Sequence, residues 1–136
     1  MEPSKEKPKI MIVDDLKLIT SSMSLFLQDF YSVTALNDPI QALEIYKSQH
    51  PFHVVIVDMQ MPQLSGAEFI KQIKAINQDQ SCIIMTGYTQ KENIEQALQA
   101  GNLIRIFKKP FDLNDVLKTV QEIGKNPNAK EPENQQ

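Results

Sequence analysis

Four consecutive β-branched residues, Val54-Val55-Ile56-Val57, run directly into Asp58. Such side chains favour extended backbone and pack well on a pleated surface. An unbroken apolar run describes a strand covered on both faces, as in the interior of a parallel sheet. Parallel strands need crossover connections, usually helices, and the rest of the chain has the pattern to supply them. Ile10 to Val13 is a second apolar run, ending in Asp14 and Asp15. Leu16, Ile19, Met23, Phe26, Leu27 and Phe30 recur at helical spacing. Tyr31 to Leu36 alternates weakly and reads as a strand. Asp38 then caps a helix with Pro39 in its first turn, a placement both residues favour. Ile40, Leu43 and Tyr46, with Ala42 beside them, mark its inner face. His50-Pro51 ends it, because proline disfavours helical backbone in the residue before it.

The second half repeats the alternation. Met61 to Gly66 is a loop, and Phe69, Ile70, Ile73 and Ile76 form a helical stripe. Ser81 to Met85 reads as a strand, with Thr86-Gly87 as its turn. Ile94, Ala97 and Leu98 predict a helix closed by Gly101 as its C′ residue. Leu103 to Phe107 is a strand broken off by Pro110. Asp112 caps a last helix carrying Leu113, Val116, Leu117 and Val120, with Gly124 at its end. Strict alternation of five strands with five helices predicts an α/β protein with a parallel sheet and helices on both faces. Its crossovers are right-handed.

Composition narrows the function classes. The 136 residues suit one domain, and a net charge of −3 gives no basic bias toward nucleic acid or an anionic membrane. No apolar run is long enough to span a bilayer, and the N-terminus lacks the apolar stretch of a secretory signal. The single cysteine, Cys82, excludes an internal disulfide and reads as a buried small hydrophobe. His50 and His53 lack cysteine partners for a zinc site. The expectation is a soluble, cytoplasmic domain over residues 9–124, with disordered polar tails at 1–8 and 125–136, the latter alternatively the start of a linker.

In a sheet of this kind, chemistry collects at the carboxyl ends of the strands, near the point where strand order reverses. There the sequence places Asp14 and Asp15 after the first strand, Asp58 after the third, Thr86 after the fourth and Lys109 after the fifth. Taken singly, Asp14-Asp15 also reads as a helix cap, Asp58 as a turn residue, Thr86-Gly87 as a turn and Lys109 as a surface charge. Taken together they are a coherent set. Crowded carboxylates repel one another, and a hard divalent cation removes that cost. Mg²⁺ favours one or two carboxylates plus waters and phosphate oxygens. An ammonium and a hydroxyl beside it suit a phosphoryl group, and an aspartate can be the nucleophile in phosphoryl transfer.

The segments IMIVDD, VVIVDMQMP, IIMTG and IFKKPF resemble the receiver domain of bacterial two-component response regulators, over about residues 9–123. The resemblance implies a flavodoxin-like, doubly wound (βα)5 fold with five parallel strands in the order 2-1-3-4-5. It implies that Asp58 accepts a phosphoryl group from the phosphohistidine of a sensor histidine kinase or histidine phosphotransfer protein. Asp14 and Asp15 match the acidic pair that holds Mg²⁺ with Asp58, and the backbone carbonyl of Gln60 matches a further metal contact. Thr86 matches the hydroxyl that moves to the phosphoryl oxygen. Lys109 matches the lysine that pairs with the phosphoryl group, before a proline bond usually found cis; Lys108 is its near neighbour in sequence.

One position departs from the family pattern. The third residue before that lysine is usually an aromatic that swings inward with the threonine, and here it is Ile106. Phe107 lies one residue along and points to the other side of a strand. Output is therefore expected through the loop after the fourth strand and the fourth helix, with Tyr88 as the moving aromatic. Gln60 and Tyr88 also match positions flanking the path of hydrolytic water, which predicts slow loss of the phosphoryl group.

Two enzyme-like or cofactor-binding alternatives fit less well. Haloacid-dehalogenase-type phosphatases need a second acid two residues after the nucleophile, where Gln60 stands. A flavodoxin-like FMN binder needs a hydroxyl- and glycine-rich loop after the first strand, where Asp14-Asp15 would repel the phosphate. The expected function is a phosphorylation switch rather than an enzyme. Its output would come through a downstream protein, an effector domain in a longer chain, or a second copy of itself, without direct contact to nucleic acid or membrane.

Overall fold

The β-branched run forms the centre of the sheet. In a computed structural model, which describes residues 7–87, 95, 99 and 104–125, Val54–Asp58 is strand β3, and every residue of it is buried. The other strands are β1 (Lys9–Val13), β2 (Ser32–Leu36), β4 (Cys82–Thr86) and β5 (Ile104–Lys108). The described helices are α1 (Lys17–Leu27), α2 (Pro39–Gln49), α3 (Gly66–Ile76) and α4 (Leu113–Lys125). All strand pairs are parallel, and the order is β2-β1-β3-β4-β5. This is the flavodoxin-like doubly wound sheet expected from the sequence. The helix expected around Ile94, Ala97, Leu98 and Gly101 lies outside the described residues, as do both tails.

Strand parity divides the core in two. Met11, Val13, Val55, Val57 and Ile84 pack with Leu43, Tyr46, Phe69, Ile70 and Ile73 from α2 and α3. Ile10, Ile12, Val54, Ile56, Ile83 and Met85 pack with Met23, Leu27, Val116 and Val120 from α1 and α4. The helices thus cover both faces, as an apolar central strand requires. The buried Cys82 contributes to the first of these clusters.

Three helix starts follow from side-chain caps. Asp38 Oδ1 accepts from the Ile40 amide at 2.9 Å, Ser65 Oγ from Glu68 at 3.0 Å, and Asp112 Oδ1 from Asn114 at 2.8 Å. Each meets an amide that the helix itself leaves without a partner. The α1 start is different. Asp14 and Asp15 do not cap it; Leu16 occupies the N-cap position without a side-chain cap bond.

Several apolar positions expected on buried faces lie in solvent. Leu16 precedes α1 and Phe30 follows it, and they are 55% and 45% exposed. Ile40 and Ile76, in the first and last turns of α2 and α3, are 48% and 37% exposed. These positions sit at or beyond helix ends, where the covering sheet no longer faces them. Gly124 does not end the last helix, which runs to Lys125.

The lower end of the sheet is held by a residue the periodicity does not mark. Gln80 is 2% exposed. Its amide oxygen accepts from the Tyr46 hydroxyl at 2.6 Å and the Phe52 amide at 3.1 Å. Its nitrogen donates to the carbonyls of Phe52 at 2.7 Å and Ser81 at 3.1 Å. His50 and His53 also lie here, stacked on Tyr46 and Tyr31 respectively. Gln80→Leu would fill similar volume but strand the amide and carbonyl of Phe52 and take one partner from the Tyr46 hydroxyl. It is expected to cost about 3 kcal/mol in urea unfolding; an unchanged midpoint would contradict this account of the network.

Candidate phosphoacceptor site

Register brings the acidic residues together. β1 and β3 pair side by side, ending at Val13↔Val57. Asp14 and Asp58 are the next residue on each strand, so their carboxylates leave neighbouring strands at the same level. Asp15 joins them, and carboxylate oxygens of Asp14, Asp15 and Asp58 lie within 4.8 Å of one another. The order in which the chain adds strands reverses between β1 and β3, so the cluster sits at the topological switch point, where doubly wound folds bind ligands.

Lys109 reaches this cluster from two strands away. The Thr86↔Lys108 pair ends the β4–β5 ladder, and the Lys109 amide donates to the Thr86 carbonyl at 2.7 Å. The Lys109–Pro110 peptide is cis, as is His50–Pro51. The Lys109 side chain crosses the end of β4, placing its ammonium 2.9 Å from Asp58 Oδ1 and 3.3 Å from Asp14 Oδ2. Lys108 is exposed on the edge strand.

Burial and like charge oppose ionisation at this rim. Asp14 is fully buried, and Asp58 is 6% exposed. Desolvation pushes the Asp14 carboxyl above its ordinary pKa, against the opposing pull of the Leu16 amide and Lys109. Desolvation also raises Asp58; the Lys109 hydrogen bond works against it, and the Asp14 charge adds to it. Burial pulls Lys109 down, but its bonds and charge interactions with Asp58 and Asp14 outweigh that and hold it above its ordinary value. One ammonium faces three carboxylates. The remaining negative charge and the all-oxygen donor set suit a hard divalent cation such as Mg²⁺.

The other expected residues are placed as follows. Thr86 is the last residue of β4 and is 2% exposed. Gln60 is exposed in the loop after β3. Ile106 packs toward the α2–α3 layer, whereas Phe107 packs toward α1 and α4, edge-on to Phe111 at 6.2 Å. Tyr88 lies outside the described residues.

Two residues at the rim were not singled out from sequence. A Cβ on Gly66 would stand 2.5 Å from the Asp58 carbonyl oxygen and 2.9 Å from Met59 Cα. Only glycine lets α3 begin this close to the end of β3. The second is Asn37, whose side-chain nitrogen donates to the Asp14 carbonyl at 2.8 Å. A glycine eight residues after Asp58 was a usable signal; an asparagine beside an Asp-Pro helix start resembles any turn.

A doubly wound sheet with an acidic cluster at the β1–β3 switch point defines an α/β protein of flavodoxin-like fold. The family model for the response regulator receiver domain matches residues 10–121, and the chain belongs to that family. Sporulation initiation phosphotransferase F of Bacillus subtilis (strain 168) is 32% identical over 114 residues, covering 83% of this chain and 90% of that protein. The transcriptional regulatory protein ZraR of Klebsiella oxytoca is 32% identical over 120 residues, 88% of this chain but only 27% of that regulator. Among solved structures, the BeF3-activated DrrB receiver domain superposes with a TM-score of 0.80 at 28% identity, covering 88% of this chain and 99% of that one. The Vibrio cholerae chemotaxis protein CheY4 gives 0.79 at 29% identity, covering 86% and 98%. Phosphorylation and Mg²⁺ binding are typical of the family. Among the described residues, no helix is long and apolar enough to cross a membrane.

The buried charges predict a pH dependence. Because the folded Asp58 pKa is raised, its contribution to stability is full below the unfolded value near 3.8 and is lost as pH rises through the folded value. At neutral pH, without divalent cations, Asp58→Asn is therefore expected to stabilise the chain. The gain should shrink as pH falls through the carboxylate range. Thermal unfolding at several pH values checks this; a variant less stable than wild type at neutral pH would show that the Lys109 pair outweighs the crowding.

Proposed function

We propose that this receiver takes a phosphoryl group on Asp58 from the phosphohistidine of a sensor histidine kinase or histidine phosphotransfer protein, and switches its protein-binding surface in response. The observation that carries the reading is the Asp58 carboxylate at the end of the central strand, 2.9 Å from the Lys109 ammonium and grouped with Asp14 and Asp15.

The chemistry follows from the placement of the groups. An Asp58 carboxylate oxygen attacks phosphorus, the bond from phosphorus to the imidazole nitrogen breaks, and its electron pair stays on that nitrogen. Lys109 neutralises charge on the transferred oxygens. Thr86, at the neighbouring strand end, donates its hydroxyl to one of them. Asp14, Asp15, Asp58 and the Gln60 backbone carbonyl are the groups that would hold Mg²⁺. Bound there, Mg²⁺ supplies the positive charge that offsets the carboxylates and the phosphoryl oxygens. The demands on the protein are positioning and charge neutralisation, which a preformed rim meets.

In this reading the chain is a cytoplasmic phosphoacceptor switch rather than an enzyme acting on a separate substrate. Ile106 has no aromatic ring to rotate, so the signal leaves Thr86 through the segment that follows β4, with Tyr88 as its moving aromatic. The recipient is a downstream protein, an attached effector domain or a second copy of the chain, and contact with nucleic acid is indirect.

Incubation with Mg²⁺ and acetyl phosphate, followed by intact mass measurement, tests the reading. Wild type should gain one phosphoryl group, and Asp58→Asn or omission of Mg²⁺ should abolish the gain. Equal labelling of wild type and variant would overturn the assignment. After donor removal, Tyr88→Ala should lose the group several-fold faster than wild type; an equal decay would remove Tyr88 from the account.

A further inference from the structure

Asp14 is held at the rim by both its backbone and its side chain. Its amide donates to the Leu36 carbonyl at 3.1 Å. Its Oδ1 accepts from the Leu16 amide at 2.9 Å, and its Oδ2 faces the Lys109 ammonium at 3.3 Å. Its backbone carbonyl accepts from the Asn37 side chain at 2.8 Å. That last bond stands where the β1–β2 ladder should have another rung. In a regular parallel ladder, Asp14 would sit opposite Asn37 and take the Asp38 amide on its carbonyl. Instead Asp38 turns away to cap α2. The Asn37 amide replaces the missing rung.

The same nitrogen makes a second bond. It donates to Thr20 Oγ1 at 2.9 Å, and that hydroxyl lies 3.1 Å from the Lys17 carbonyl to which it donates. Thr20 is 3% exposed, in the first turns of α1. The amide orientation is dictated by chemistry, since the Asp14 carbonyl can only accept. One side chain therefore ties three pieces of backbone together: the end of β2, the acidic end of β1 and the start of α1.

We propose that Asn37 is a positioning residue for the cation site, fixing the Asp14–Asp15 peptide so that both carboxylates face Asp58. The proposal rests on the reading of Asp14, Asp15 and Asp58 as the Mg²⁺ ligands. Cation affinity depends on such supporting contacts, because carboxylates free to turn must be ordered when the ion binds. Asn37 does not touch the phosphoryl group in this account. Its loss weakens Mg²⁺ binding while leaving the reacting groups intact.

The test is calorimetric titration of the full chain with Mg²⁺ alone, beside acetyl phosphate labelling across Mg²⁺ concentrations. Asn37→Ala and the isosteric Asn37→Asp, which cannot donate to the Asp14 carbonyl, should each weaken Mg²⁺ binding by roughly 10–100-fold. Labelling of Asp58 should recover toward wild type at saturating Mg²⁺. Thr20→Val removes the link to α1 but keeps the bond to Asp14, and should leave Mg²⁺ affinity unchanged. Wild-type affinity in a folded Asn37→Asp chain would overturn the proposal, as would an equal loss in Thr20→Val, which would signal general loosening. Absence of Mg²⁺ binding by wild type itself would overturn the metal-site reading, a result distinct from either.

Discussion

The parallel pairing of β1 with β3 is the constraint on which the rest depends. It sets the ends of two buried strands side by side and makes each continue into an aspartate. The backbones that carry these carboxylates cannot separate without breaking the sheet, and burial of Asp14 and Asp58 denies them the water that would screen their repulsion. Lys109 relieves part of this from across β4, and the remaining negative charge suits the rim to a cation. Shifted carboxyl pKa values of this kind cluster at functional positions.

That pairing in turn depends on the crossovers. The chain leaves β1 through α1 to β2 at one edge, then returns through α2 to β3 on the other side of β1. The reversal leaves the β1–β3 rim without a helix connecting directly across it. Close packing then places the accessory groups. Gly66 lets α3 start against the Asp58 backbone, and the β4–β5 ladder carries Lys109 to the height of Thr86. Asn37 stitches the place where the β1–β2 ladder would otherwise fray. Each is a backbone-scale device serving one pair of strand ends.

Much of this was legible in the chain, for physical reasons that differ by residue. Val54 to Val57 could be read because a continuous β-branched run has few other uses. Asp38 and Asp112 could be read because a cap bonds an amide two or three residues away. Asp14, Asp58 and Lys109 could be grouped because strand ends in a doubly wound sheet share a rim. The burial of Leu16, Phe30, Ile40 and Ile76 was overestimated, since helical spacing marks an apolar face but not where its cover stops. Gln80 and Asn37 escaped notice because their partners, Tyr46, Phe52 and Asp14, are distant in sequence and no local pattern announces a buried amide. Asp14-Asp15 imitates a helix cap, and only the structure separates that use from the role of Asp14 at the rim.

The central claim is that Asp58, and not its acidic neighbours, carries the phosphoryl group. Borohydride reduction of the acetyl phosphate-treated chain, followed by peptide mapping, tests it most directly, because an aspartyl phosphate is reduced to homoserine while free carboxylates are untouched. The account predicts homoserine in place of Asp58 alone, and only in samples that contained Mg²⁺. Homoserine in place of Asp14 or Asp15, or a labelled chain with Asp58 unaltered, would contradict it.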